Sequence, residues 1–169
     1  MAYHTDVTDL VDKEVLTWQM FGDATQELAS RVVASGFLPE IVVAIARGGM
    51  IPAGALTYAL GVNLTDTINV EFYTDVHETL SDPVLLSPML DTEFIVGRRV
   101  LVVDDVVDTG RTLALVMKLL RGFGADVRSA VIYEKPATVF TPEYVWGRTD
   151  KWIVFPWSAL PPVTARGSE

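Results

Sequence analysis

The sequence contains no cysteine among its 169 residues, so disulfide bonds and thiolate metal sites are excluded. It also lacks any apolar run near the length of about 18 residues that a membrane-spanning helix requires. The first residues, MAYHTDVTDLVDKE, are polar and acidic and do not resemble a secretory signal peptide. These absences predict a cytoplasmic protein without a membrane span.

Basic residues are scarce as well. Lysine and arginine number 13 against 22 acidic residues, which gives a net charge of −9. No lysine or arginine lies between Gly48 and Gly97. This balance argues against a nucleic-acid-binding surface, which needs a basic face. Two common nucleotide-binding loops, GxxxxGK[ST] and GxGxxG, are also absent. Neither absence excludes a phosphorylated small molecule, because a few local amides and cations suffice to bind one.

Half of the residues are hydrophobic, and short apolar runs alternate with amphipathic segments. The spacing predicts helices over residues 17–34, from the RGG turn up to Gly61, and over residues 112–123. Buried strands are predicted over residues 40–46, 63–73, 100–103, 126–133 and 152–155. Strands that alternate with helices indicate an α/β fold, here a single-domain doubly wound parallel sheet. The domain is expected over residues 1–160, with a loose tail over residues 161–169.

One segment, residues 74–97, fits this alternation poorly. It contains two prolines, weak periodicity and no basic residue. A segment of this length without regular structure is usually functional when it lies inside a compact domain. We interpret it as a mobile flap, and a small extra hairpin is the alternative.

The stretch VLVVDDVVDTGRT, residues 100–112, combines a buried strand, three carboxylates and a small polar loop. Asp104 and Asp105 follow the predicted strand, and parallel sheets bind ligands at the carboxyl ends of their strands. The loop after Asp108 is expected to bind a phosphate through backbone N–H groups, hydroxyl groups and the dipole of the next helix. The residues of this phosphate loop are Thr109, Gly110, Arg111 and Thr112.

Carboxylates beside a phosphate site need a ligand that is not negative throughout. Vicinal hydroxyl groups suit Asp104 and Asp105, either directly or through Mg²⁺ and its waters. A phosphate on one side and a diol on the other describe a ribose 5-phosphate. The sequence therefore predicts a phosphorylated ribose at the carboxyl edge of the sheet.

The same stretch closely resembles the phosphoribosyl pyrophosphate (PRPP) signature of type I phosphoribosyltransferases: four apolar residues, two acids and two apolar residues before D-T-G-x-T. The resemblance implies that PRPP is a substrate and that Mg²⁺, held at Asp105 and Asp104, is the cofactor. The stretch AIARGG, residues 44–49, resembles the pyrophosphate loop of the family. This likeness implies that Arg47 and Gly48 bind the pyrophosphate and that the Ala46–Arg47 peptide bond is cis.

The C-terminal part is similar to the 6-oxopurine branch of the family, particularly to bacterial xanthine–guanine (hypoxanthine) phosphoribosyltransferases. The matching stretches are EKP, residues 134–136, and KWIVFPW, residues 151–157. By position, the resemblance implies that Lys135 contacts the purine O6, that Trp152 stacks on the base and that the Ile153 carbonyl accepts from the ring edge. These residues belong to a small hood predicted over residues 135–157.

Some residues depart from the family pattern. Val154 and Ser158 stand where the xanthine–guanine enzymes carry acids, which favours hypoxanthine or xanthine over guanine. The predicted flap has no basic residue, so the pyrophosphate charge is left to Arg47, magnesium and backbone amides, and His77 contributes only if it is protonated. The missing flap lysine also disfavours the orotate branch of the family.

The resemblance implies an enzyme of purine salvage. It transfers the 5-phosphoribosyl group from PRPP to hypoxanthine, xanthine or guanine and releases pyrophosphate and the nucleoside 5′-monophosphate, as a homodimer or homotetramer. Asp108 is expected to be catalytic by exchanging a proton with the purine, and the alternative is that it caps the following loop. A non-catalytic PRPP-sensing regulator and a phosphoribosyltransferase for another base are the alternatives for the whole protein. Such regulators usually add a nucleic-acid-binding surface, for which the length and the charge leave no room.

Overall fold

The structure, a computed structural model, describes residues 12–75, 78–85 and 92–163. Its helices are α1 (Trp18–Ala34), α2 (Met50–Leu60), α3 (Thr92–Ile95) and α4 (Arg111–Gly122). Its strands are β1 (Lys13–Val15), β2 (Ile41–Ala46), β3 (Leu64–Asp75), β4 (Glu78–Leu85), β5 (Arg99–Val107), β6 (Asp126–Glu134), β7 (Tyr144–Arg148) and β8 (Trp152–Val154). No helix in the described ranges is long and apolar enough to cross a membrane.

A six-stranded sheet forms the centre of the fold, in the order β4-β3-β2-β5-β6-β7. Neighbouring strands pair in parallel, except for β3 and β4, which pair antiparallel. One apolar cluster joins α4 to one face of the sheet, and a second joins α1 and α2 to the other. Helices therefore cover both faces, and the predicted doubly wound α/β fold is confirmed.

The apolar runs in the sequence follow directly from this layering. In β2, Val43 and Ile45 face the cluster that contains α4, whereas Val42 and Ala44 face the cluster that contains α1 and α2. A strand covered on both faces cannot alternate apolar with polar residues, because either face would then bury a polar side chain. The continuous pattern IVVAIA therefore marks β2 as a central strand.

The strand that we predicted over residues 100–103 is longer in the structure than its apolar run. We expected it to end at residue 103, and this boundary is wrong, because β5 continues to Val107. The parallel ladder with β6 extends to the pair Val107 and Glu134 and includes Asp104. The carboxylates of Asp104 and Asp105 consequently project from the last part of a strand, whose backbone is fixed by its neighbour.

The segment interpreted as a flap includes β4, which pairs with the end of β3 as an antiparallel hairpin. This is the arrangement that we gave as the alternative, and mobility of the segment stays a prediction. Residues 76–77, which include His77, and residues 86–91 lie outside the described ranges. Most of the predicted loose tail, residues 164–169, lies outside them as well.

A second, two-stranded sheet pairs β1 with β8 in parallel, and the backbone N–H of Leu16 donates to the carbonyl of Val154 (3.0 Å). Behind it lies an aromatic cluster of Phe21, Tyr133, Phe155 and Trp157. The C-terminal segment is thus attached both to the start of the chain and to the end of β6. We predicted β8 but neither β1 nor β7.

Gly147 in β7 lies against the buried ring of Tyr133, and a Cβ added there would approach Cε1 of the ring to 2.9 Å. Overpacking of this kind costs about 1–3 kcal/mol, so we expect Gly147→Ala to lower the free energy of unfolding by that amount. Gly22→Ala in α1 is the control, because a Cβ at Gly22 meets nothing within 4 Å. It should raise stability by about 0.5–1 kcal/mol. Urea denaturation measures both, and equal effects of the two changes would contradict the packing argument.

Candidate active site

The predicted functional segments meet at the carboxyl edge of the sheet. The turn with Arg47 follows β2, the segment with Asp108 follows β5, and Lys135 follows β6. These three strands are parallel neighbours at the centre of the sheet, so their carboxyl ends lie side by side. Crossover connections bring together residues that are almost 90 positions apart in the chain, as counted from Arg47 to Lys135.

The turn after β2 approaches β5 so closely that side chains are excluded from it. A Cβ added to Gly48 would overlap the carboxylate oxygens of Asp105, and one added to Gly49 would overlap the carbonyl oxygen of Val103. The turn is closed by a hydrogen bond from the Gly49 N–H to the Ile45 carbonyl (2.8 Å). The Ala46–Arg47 peptide bond is cis, as the resemblance implied, and the Arg47 side chain is exposed. Gly48, which directly follows Arg47, thus borders the Asp105 carboxylate.

Asp104 and Asp105 form a partly buried acidic pair at the end of β5. The backbone N–H of Asp105 donates to Oδ1 of Asp104 (2.9 Å), and the N–H of Val106 donates to Oδ1 of Asp105 (2.7 Å). Burial raises the pKa of Asp105, and burial together with the charge of Asp105 raises the pKa of Asp104 well above its ordinary value. A nearby cation or hydroxyl donors would therefore stabilise the ionised form of both acids.

The acidic pair fits a magnesium ion that is shared with a substrate. The described part of the chain contains no group of three or more His, Cys, Asp or Glu residues arranged to hold a metal ion. Mg²⁺ characteristically uses one or two carboxylates and completes its shell with water and substrate phosphate oxygens. Asp104 and Asp105 satisfy that requirement, and Asp105 directly borders the glycine turn.

The predicted phosphate loop leads into α4, whose first residue is Arg111 rather than the expected Thr112. Gly110 is the N-cap residue with φ +79°, and it has no side chain to cap the helix. The N–H of Arg111 donates to Oγ1 of Thr109 (3.5 Å). The N–H groups of the first turn and the hydroxyl groups of Thr109 and Thr112 can bind an anion. The alternative in which Asp108 caps α4 finds no support in this geometry.

A short segment packs over the phosphate loop and joins it to the end of β6. A Cβ on Gly110 would overlap Oγ1 of Thr138, and the N–H of Val139 donates to the Thr109 carbonyl (2.9 Å). The backbone N–H of Lys135 donates to the Val107 carbonyl (2.9 Å). Residues 136–140 fall within the predicted hood, but their packing on the phosphate loop was not predicted, because they carry no apolar periodicity.

A cavity of about 500 Å³ opens beside the end of β5 and beneath the C-terminal segment. Its wall includes the three side chains assigned to the base and its chemistry, Asp108, Lys135 and Trp152, together with Ile153. The Trp152 side chain is 74% exposed, so the ring does not belong to the packed core. The exposed indole gives the cavity a flat aromatic surface on which a planar base can stack.

Two further residues on the cavity wall have polar side chains, Asp150 and Ser158. We noted Ser158 as a departure from the family pattern, whereas Asp150 was missed. Its position two residues before Trp152 is the only signal that the sequence offered. Val154 is not among the wall residues.

Comparison with known proteins gives one consistent family. The phosphoribosyl transferase domain matches residues 12–161. A xanthine-guanine phosphoribosyltransferase of Nitratidesulfovibrio vulgaris (strain DP4) is 33% identical over 149 residues, covering 85% of this chain and 83% of the relative. One from Gluconobacter oxydans is 32% identical over 148 residues, covering 86% and 84%. The crystal structure of a purine phosphoribosyltransferase from Pyrococcus horikoshii is 35% identical with a TM-score of 0.76, covering 92% of this chain and 99% of its own.

The chain therefore belongs to the phosphoribosyltransferase family, as the PRPP signature predicted. The family match spans the central sheet and the two-stranded sheet alike. The roles of the individual site residues stay predictions, since the comparisons concern the chain as a whole.

Asp104→Asn should stabilise the ligand-free protein at neutral pH. Burial raises the pKa of Asp104 in the folded protein. Its contribution to the free energy of unfolding is therefore complete below the pKa of an unfolded aspartate, about 4, and is lost as pH rises through the raised pKa of the folded protein. Asparagine keeps the acceptor for the Asp105 N–H but cannot ionise. Unfolding free energies between pH 4 and pH 8 should therefore diverge with rising pH, with the variant the more stable.

The control for this change is Asp126→Asn, at an exposed acid that begins β6. It should show no such divergence. A parallel offset between Asp104→Asn and the unaltered protein at all pH values would contradict the assigned cause.

Proposed function

We propose that this protein transfers the 5-phosphoribosyl group of PRPP to a 6-oxopurine base, releasing pyrophosphate and forming a nucleoside 5′-monophosphate. The prediction of an enzyme of the purine phosphoribosyltransferase class is confirmed by the family match and by relatives of that name. The choice among hypoxanthine, xanthine and guanine belongs to the proposal. The observation that carries it is the cavity that unites Asp108, Lys135 and Trp152 next to the acidic pair.

In the proposed binding mode, PRPP lies at the carboxyl ends of β2 and β5. Its 5-phosphate accepts hydrogen bonds from the phosphate loop, residues 109–112, at the start of α4. Its ribose hydroxyls donate to Asp104 and Asp105, and its pyrophosphate lies against Arg47 and the backbone of Gly48. Mg²⁺, held at Asp104 and Asp105 directly or through water, neutralises pyrophosphate charge when bound.

The base occupies the cavity under the C-terminal segment. In this proposal the Lys135 ammonium donates to the purine O6, the Trp152 ring stacks on the base, and the Ile153 carbonyl accepts from the ring edge. All three residues lie on the wall of the same cavity, which is large enough for a purine. A planar ring held in this way presents a ring nitrogen to the ribosyl carbon.

The chemical step breaks the bond between C1 and pyrophosphate and forms the bond between C1 and the purine nitrogen. Positive charge develops on the ribosyl ring, and the fixed carboxylates beside it are placed to stabilise that charge. We assign proton exchange at the purine N7 to the Asp108 carboxylate. Its exposure on the cavity wall and its position between the acidic pair and Lys135 support this role.

Base preference follows from the polar groups on the cavity wall. Val154, which lies off the wall, stands where the xanthine–guanine enzymes carry an acid, so that acceptor for the guanine amino group is missing and we propose that hypoxanthine or xanthine is preferred. The acid that does lie on the wall is Asp150. A preference for guanine would indicate that Asp150 or the Ile153 carbonyl accepts from the amino group instead.

The quaternary structure and the compartment are proposals as well. We propose a homodimer or homotetramer in the cytoplasm that has no nucleic-acid partner. The acidic net charge of −9 supports the last point. The PRPP-sensing regulator has less support, because sensing PRPP does not require the exposed tryptophan and the lysine of the base cavity.

Pyrophosphate release tests the function directly. The protein, PRPP and Mg²⁺ are combined in turn with hypoxanthine, xanthine, guanine, adenine and orotate, and initial rates give kcat/KM for each base. We expect turnover with the 6-oxopurines, highest for hypoxanthine or xanthine, and little with adenine or orotate. Binding of PRPP without turnover of any base would favour the regulator.

Asp108→Asn tests the proton-transfer role. The change keeps the shape of the side chain and removes its basicity, so we expect kcat to fall at least about a hundredfold, within the usual range for general acid–base catalysis. The melting temperature and the affinity for PRPP should stay near those of the unaltered protein. A kcat near the original value, or a loss of stability alone, would identify Asp108 as a structural residue.

A further inference from the structure

We propose that Glu134 and Arg148 are positioning residues for base recognition: their ion pair holds the loop before Trp152 and thereby places Trp152 and Lys135 around the base. This inference rests on the proposed function of the cavity. It assigns a role to residues that do not themselves contact the base, and it concerns the binding of the base rather than that of PRPP.

The ion pair joins the carboxyl ends of two neighbouring strands. Glu134 ends β6 and Arg148 ends β7, and the two residues are direct partners in the parallel ladder. Nε of Arg148 donates to Oε2 of Glu134 (2.6 Å). The backbone N–H of Thr149 also donates to the Glu134 carbonyl (3.2 Å). Glu134 thus fixes the start of the loop through both its side chain and its main chain.

The far end of the same loop is attached to Lys135, the residue next to Glu134. The Lys135 ammonium donates to the carbonyl oxygen of Lys151. Within the loop, the N–H of Lys151 donates to Oγ1 of Thr149 (3.1 Å). Two consecutive residues at the end of β6 therefore hold residues 148–151, and Trp152 follows immediately.

Trp152 depends on this attachment because the core does not hold it. Its side chain is 74% exposed, and it begins β8, a strand of 3 residues that pairs with an equally short β1. The direction of its Cα–Cβ bond, and hence the region that its ring can reach, is therefore set by the backbone of the preceding loop. The same attachment holds the Lys135 ammonium at the cavity wall and leaves its other hydrogen-bond donors available to a base.

Stability alone does not account for the pair. Glu134 is buried, whereas the Arg148 side chain is 72% exposed, and solvent screens an ion pair of that kind strongly. A buried carboxylate is costly to desolvate, and an apolar side chain would end β6 with less cost. The role of the pair is positional, because a charge-assisted hydrogen bond fixes the end of β6 relative to the loop that begins at Arg148.

The test compares two ion pairs that flank β7. Arg148→Gln breaks the pair at the carboxyl end, Arg148→Lys retains a cation for Glu134, and Arg121→Gln breaks the pair with Glu143 (3.2 Å) just before β7. Initial rates give KM for the base and for PRPP. Calorimetry gives the affinity of each variant for inosine 5′-monophosphate and for ribose 5-phosphate.

We expect Arg148→Gln to raise KM for the base and to weaken inosine 5′-monophosphate binding by about tenfold, the effect of one misplaced hydrogen bond. KM for PRPP and the affinity for ribose 5-phosphate should stay within about twofold. Arg148→Lys should recover most of the loss, and Arg121→Gln should leave all four quantities unchanged.

Three results would overturn the inference. The first is that Arg148→Gln leaves base and nucleotide binding intact. The second is that it weakens ribose 5-phosphate binding equally, and the third is that Arg121→Gln has the same effects as Arg148→Gln. If the unaltered protein binds inosine 5′-monophosphate no better than ribose 5-phosphate, the proposed function fails first and the inference fails with it. Nucleotide selection that survives in Arg148→Gln removes the inference alone.

Discussion

The site depends on the close approach of the glycine turn after β2 to the acidic end of β5. No side chain fits between Gly48 and the Asp105 carboxylate, and none fits between Gly49 and the backbone of β5. The approach is possible because β2 and β5 are hydrogen-bonded neighbours at the centre of the sheet, covered on both faces by apolar clusters. A rigid double-sided core therefore sets the distance between the groups assigned to pyrophosphate and to ribose.

The burial of two adjacent carboxyl groups at the end of β5 lowers the stability of the ligand-free protein. Asp104 and Asp105 are adjacent, partly buried and poorly hydrated, and burial raises the pKa of both. Within the described residues, backbone N–H groups of Asp105 and Val106 in β5 donate to them and offset part of this cost. A ligand that brings a divalent cation or a diol supplies what is missing, so affinity can be gained at the expense of stability in the ligand-free state.

Much of the fold and the chemistry could be predicted from the sequence, because both rest on local patterns. The apolar run before Asp104 marks a central strand, and the loop that begins at Thr109 combines glycine and hydroxyl residues in the order of the PRPP signature. The end of β5 was misplaced because a parallel ladder continues wherever the neighbouring backbone allows it, whatever the side chains.

The remaining errors concern contacts made over long distances in the sequence. β1 pairs with β8 across almost the whole chain, and at 3 residues it carries no periodicity. β7 ends in Gly147 and Arg148, which gives it no continuous apolar run. The contribution of Asp150 to the cavity wall depends on where β7 and β8 end relative to β6, and no local pattern encodes that relation.

The segment that covers the phosphate loop gives the two halves of the site a common support. Thr138 packs on Gly110, Val139 donates to Thr109, and the same segment begins at Lys135 on the wall of the base cavity. A phosphate that orders residues 109–112 therefore also restrains the cavity wall, and the entropy lost in ordering that wall need not be lost again when the base enters. We therefore expect an order of assembly in which the phosphorylated sugar prepares the pocket and the base binds to a surface that is already formed.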